Sequence, residues 1–107
     1  MVRPQQKQER PVQDGKANYY LRQKENKTAL AAARQEILKT ERAIEDNEKA
    51  QAETEAAIAE AEEKSDFEGM QQLCVALGQL QAEESRLYEA LERAEKEKEQ
   101  LEKEGEG

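Results

Sequence analysis

From about Thr28 the apolar residues recur every seven positions. Leu30, Ile37, Ile44, Gln51 and Ile58 share one position of the repeat, and Ala33, Thr40, Asn47, Thr54 and Ala61 stand three residues after them. Alternating steps of three and four keep one stripe of a helix turned toward a partner, which is the a/d seam of a coiled coil. The seam is thin, because its second position holds only small or polar side chains. It breaks near Lys64. A second repeat follows, with Met70, Leu77, Glu84, Leu91 and Lys98 in one position and Leu73, Leu80, Leu87, Ala94 and Leu101 in the other. This stripe is richer in Leu.

Between the two repeats stands Ser65-Asp66-Phe67-Glu68. Ser three residues before Glu is the capping-box arrangement, in which the hydroxyl accepts from the Glu N–H and the Glu side chain reaches back to the Ser N–H. The pattern predicts a helix restart after a tight turn. Two heptad helices joined by a short turn fold back on each other. The expected fold is therefore all-α, a two-helix antiparallel coiled-coil hairpin. Its first helix spans about 18–64, the turn about 65–66 and the second helix about 67–103.

In an antiparallel seam the a positions of one helix layer against the d positions of the other. Here the facing residues have numbers that sum to 131, giving Ala61–Met70, Ile58–Leu73, Thr54–Leu77, Gln51–Leu80, Asn47–Glu84 and Ile44–Leu87, and on to Leu30–Leu101. One fitted pair implies the rest, so the independent support is the midpoint, which falls between Ser65 and Asp66. Small residues also face large ones, as in Thr54–Leu77, which lets the helices interdigitate. Asn47–Glu84, with Gln51 and Lys98, makes the weak part of the seam. A polar layer can fix register at a cost in stability. Long polar side chains can also reach water from a two-helix seam, and that wet arrangement is the expectation adopted.

Residues 1–16 break the pattern. They hold both prolines (Pro4, Pro11), several glutamines and mixed charges with minimal apolar content, which predicts a disordered arm or linker ahead of a hairpin over 17–107. Net charge sharpens this division. Through Arg42 there are ten Lys/Arg against five Asp/Glu; beyond it there are seven against twenty. In the expected register, residues 25–42 carry a net +1 and lie beside residues 89–106, which carry −4. Such exposed pairs bias orientation more than they stabilise.

Composition then excludes most chemistry. The chain of 107 residues has 39% charged and 4% aromatic residues, no His, no Trp and one Cys. Without His, the common general base, the Ser/His and Cys/His nucleophile pairs and the usual zinc sites are missing. The glycines are scattered, so no phosphate loop is present. A non-catalytic chain with no metal or cofactor is expected. The lone Cys74 gives no sign of an oxidising compartment, and no apolar run can span a membrane, so the expected setting is cytoplasmic. Cys74 adjoins Leu73 and is expected to fill the edge of the seam. Gly78, in mid-helix, suggests close backbone approach or a kink.

The residues that could meet a partner lie at the other end. Arg3, Lys7, Arg10, Lys16, Arg22, Lys24 and Lys27 could contact phosphates, and Tyr19 and Tyr20 could stack on bases. Against this, Glu9, Asp14 and Glu25 dilute the charge, and a tyrosine pair more often packs on a neighbouring helix or covers the end of a hairpin. The acidic stretch from Glu45 to Glu68 lacks the ligand spacing of a calcium loop and is expected to be a solvated face.

At this point a family resemblance enters. The stretch Asp66-Phe67-Glu68, then Leu73, Leu77, Leu80, Glu84, Leu87-Tyr88-Glu89 and Leu91-Glu92, resembles the C-terminal domain of ATP-binding cassette proteins of the F subfamily (ABC-F). The run Asp14-Gly15-Lys16-Ala17-Asn18-Tyr19-Tyr20-Leu21 is similar to the place where that family's cassette ends. The chain departs from the family in having Leu91 where Trp is frequent, and in a linker that is only mildly basic. The resemblance covers roughly residues 14–103. It implies a DNA-binding or ribosome-associated accessory coiled coil that tunes a cytoplasmic ATPase acting in translation or on nucleic acid. Expected partners are then ribosomal RNA or DNA through the arm and the parent's nucleotide-binding domains, with no membrane; the isolated chain is expected to be a monomer. The alternative is a structural spacer or oligomerisation element with no nucleic-acid role.

Overall fold

The structure, a computed structural model, describes the backbone of residues 14–106 and the side chains of 18–105. It is two long helices, α1 (Asp14–Glu63) and α2 (Phe67–Glu106), packed side by side as an antiparallel hairpin. At 1.5 Å per residue they are about 75 and 60 Å long. Every seam residue from Leu30 to Ala61 and from Met70 to Leu101 is buried or half-buried, as the heptads require. Burial is shallow. Among the described residues the buried apolar ones are Ala33, Ile44, Ala61 and Ala94, and no side chain is fully enclosed. Two helices without a third layer cannot surround a Leu, so small residues reach the closest approach while the Leu side chains stay half-covered.

The register follows from named contacts. Asn47 Nδ2 donates to the Leu80 carbonyl at 3.0 Å, and Gln51 Nε2 donates to Glu84 Oε1 at 3.1 Å. These two contacts cross diagonally between the layers Asn47–Glu84 and Gln51–Leu80 and straddle the sum of 131. Farther along, the Tyr88 hydroxyl donates to Glu48 Oε2 at 3.1 Å, and Arg34 meets Glu102 at 3.9 Å. The last pair joins the basic start of α1 to the acidic end of α2. Both its side chains are about half exposed, so solvent leaves it worth little.

Within the polar layer Asn47 departs from the wet arrangement expected of it, while Gln51, Glu84 and Lys98 stay partly exposed. Asn47 is 6% exposed. Its Oδ1 accepts from Gln51 Nε2 at 2.6 Å while its Nδ2 is held by Leu80 O, so one amide uses both ends inside the seam. The short Asn side chain cannot reach water from the seam as a long one would. The layer is a connected network that pins the register.

The turn also departs from expectation by one residue. Ser65 has φ of 55°, the left-handed region. Its N–H donates to Glu62 O at 3.1 Å and the Asp66 N–H donates to Ala61 O at 2.9 Å. This pair of bonds is the Schellman closure of a helix, with Ser65 in the position usually given to Gly. Ser65 therefore ends α1 rather than capping α2. The cap is Asp66: its Oδ1 accepts from the Gly69 N–H at 3.0 Å, and its carbonyl accepts from Met70 N–H at 2.9 Å. A carboxylate beside the N-terminal dipole is favoured there. A Cβ at Gly69 would collide with the Asp66 carboxylate, so that glycine makes room for the cap.

At its other end α1 begins at Asp14, so residues 14–16 are helical where the composition suggested linker. A nucleated helix extends until something breaks it, and no proline follows Pro11. The rest of the expected arm, 1–13, lies outside the described residues. Two smaller expectations also change. Cys74 is exposed, because its heptad position flanks the two-helix seam without being covered. Gly78 is exposed and has nothing within 4 Å of where a Cβ would sit, so close backbone approach is not its reason. Gly78→Ala is expected to raise stability by about 0.5–1 kcal/mol, read as a Tm several degrees higher. A lowered Tm would mean the position is strained.

Candidate nucleic-acid interface

The two helices are unequal, and the difference falls at the end away from the turn. Gly105, near the end of α2, lies opposite Asn26, whose Oδ1 would be 3.3 Å from a Cβ placed there. Among the described residues, 14–24 of α1 therefore extend beyond Glu106, an overhang of about 16 Å.

Three adjacent side chains on the overhang are large, apolar in part and open to solvent: Tyr19 at 57%, Tyr20 at 70% and Leu21 at 55% exposure. The two tyrosine rings meet edge to face with centroids 6.2 Å apart. Of the two packing readings weighed for this pair, on a neighbouring helix or over the end of a hairpin, Tyr19 fits the second in part, since it stands at the hairpin's open end beside Leu101, Glu104 and Gly105. Tyr19 turns toward a groove of about 660 Å³ where α2 stops, lined also by Arg22, Asn26, Ala29, Leu101 and Gly105. Tyr20 is four residues before Lys24 and seven before Lys27, so the three share one face of α1. Arg22, Lys24 and Lys27 are all exposed. Glu25 and Glu104 border the groove and confine the positive character to the outer part of the overhang.

The structure thus groups Arg22, Lys24 and Lys27 with Tyr19 and Tyr20 on consecutive turns. Lys16 stands on the same helix, with its side chain outside the described residues, and Arg3, Lys7 and Arg10 lie outside them altogether. Asn26, Ala29 and Gly105 were not singled out from the sequence as site residues, and Leu101 was read only as part of the seam. The register did contain the signal, since Asn26 and Gly105 sum to 131.

Elsewhere the chemistry is sparse. Among the described residues no group of three His, Cys, Asp or Glu could hold a metal ion, and no helix is long and apolar enough to cross a membrane. The Tyr88 phenol is held above its ordinary value, first by its hydrogen bond to Glu48 and then by the negative charge of Glu48. A raised folded value means that this bond supports the hairpin below the unfolded value. The support is lost as pH rises through the folded one.

No protein family, no curated protein and no solved structure matches the chain.

Proposed function

We propose that this hairpin is a non-catalytic interaction module, the accessory C-terminal coiled coil of an ABC-F type ATPase. In this reading the overhang contacts ribosomal RNA or DNA, and the rod couples that contact to the nucleotide-binding domains of a cytoplasmic parent protein. The observation that carries it is this end of α1, where Arg22 and Lys24, with Lys27 beside the last turn of α2, accompany exposed Tyr19 and Tyr20. The acidic remainder of the rod repels phosphate and leaves this end as the place for it. The contact is to the backbone, without sequence readout.

Binding to a labelled RNA or DNA fragment is therefore expected to weaken steeply between 50 and 200 mM salt, as counterion release requires. Reversing Lys16, Arg22, Lys24 and Lys27 to Glu is expected to lower affinity at least tenfold at low salt. Anisotropy titrations on both proteins measure this, and equal affinity would remove the assignment.

A second reading, a spacer or oligomerisation element, draws on the seam. Its layers pair residues symmetrically about the turn, so two copies could pair in the same way as one chain folded back. Light scattering over a concentration series separates the readings, since a concentration-independent monomer is expected of the first.

A further inference from the structure

We infer that the overhang binds unpaired nucleotides, a single strand or a loop, in preference to a duplex, with Tyr20 as the stacking surface and Lys24 and Lys27 on the adjoining phosphates. This rests on the nucleic-acid reading above and narrows its ligand.

The first ground is exposure. Tyr20 is the most exposed of the three tyrosines and sits between two other exposed apolar side chains, Tyr19 and Leu21. Contiguous apolar surface of this kind on a charged rod marks a contact site. A tyrosine ring offers a base the flat face it needs, and every base has such a face, so stacking requires no sequence. In a duplex the base faces are already stacked on one another and are closed to a side chain.

The second ground is the distribution of charge. Lys24 and Lys27 follow Tyr20 at one and two turns on the same face, about 6 and 10 Å along the axis. A strand laid on that face meets its cations in sequence with the ring. The cationic surface is narrow, because Glu25 lies on the next face and Glu104, in the last turn of α2, lies at the level of Lys27. A duplex carries one phosphate charge per about 1.7 Å of axis on two strands and would bring many of them against those carboxylates. A single strand can follow the basic face alone.

The third ground is access. Tyr20 flanks the seam position held by Tyr19 and is 70% exposed, so a strand can reach its ring from the solvent side of α1. Tyr19, meeting Tyr20 edge to face at 6.2 Å, restrains the ring without covering it.

The test uses the full chain and a labelled mixed-sequence 12-nucleotide RNA, alone and annealed to its complement, with a DNA pair of the same sequence. The single strands are expected to bind at least tenfold more tightly than the duplexes. Tyr20→Ala is expected to weaken single-strand binding about 5- to 100-fold while leaving the slope of affinity against salt unchanged. Tyr20→Phe should retain most of the affinity. Because Tyr20 is exposed, circular dichroism should show the Ala variant as helical as the parent. Equal or tighter duplex binding, or an Ala variant that binds like the parent, overturns the inference and leaves the broader reading standing. Absence of binding to every probe at 50 mM salt overturns both.

Discussion

Asn47→Asp is expected to lower the stability of the hairpin by about 2–4 kcal/mol at neutral pH, with part of the loss recovered in mild acid. Asn47 is 6% exposed and its amide nitrogen donates to Leu80 O. An ionised carboxylate there replaces a donor by an acceptor, so two oxygens face each other in a nearly dry seam. Gln51 bridges this position to Glu84 and would then join two carboxylates. The introduced acid has its folded value raised above about 3.9, the ordinary value for Asp. The native state of the variant then binds more protons than the unfolded chain, and its stability rises as pH falls through the raised value. Urea unfolding of variant and parent at neutral pH and near pH 4.5 gives the difference at each. A difference that does not shrink in acid means that charge is not the cause. Asn47→Leu removes donor and acceptor together and is expected to change stability by less than about 1 kcal/mol.

The second large effect concerns topology. Ser65→Ala combined with Asp66→Ala is expected to convert much of the protein from monomer to an extended antiparallel dimer at high concentration. Ser65 occupies the left-handed region at a cost of about 1–2 kcal/mol, and Asp66 offsets it by capping α2. Removing the cap costs about 1 kcal/mol, and two alanines favour helix through the turn. The chain then becomes one helix of about 140 Å, and each α1 pairs with the α2 of a second copy through the same layers. Light scattering should show the mass double as concentration rises, and X-ray scattering should show the longer rod. A variant that stays monomeric throughout refutes this account of the turn. Ser65→Gly acts in the opposite sense, relieving the backbone cost and adding about 1 kcal/mol to the hairpin.

These residues also mark how far sequence reading reached. The heptads and the antiparallel hairpin were legible because a repeat sustained across both helices leaves few alternatives. The capping residue was missed by one, since Ser65 and Asp66 are both good caps. Which of them acts depends on the left-handed φ at Ser65, a backbone choice that no spacing encodes. The polar layer was read as wet because side-chain lengths were weighed without the direction of the Asn47 amide. The start of α1 was placed late because linker composition was allowed to outweigh helix propagation. The expected helices, 18–64 and 67–103, already left Tyr19 and Tyr20 past the end of the second in this register, a consequence that was not drawn. The basic and aromatic candidates were named from the sequence, but surface binding has no fixed ligand spacing, so residue types alone could not rank them.

The short turn also sets the conditions under which this fold exists at all. Because the seam pairs equally well within a chain or between chains, contact energy does not choose between them. A three-residue connection holds α2 beside α1 at an effective concentration in the millimolar range or above. A second copy at micromolar concentration competes at a disadvantage of about a thousandfold. Any crowding of copies on a common surface would erode that margin without altering a single contact in the rod.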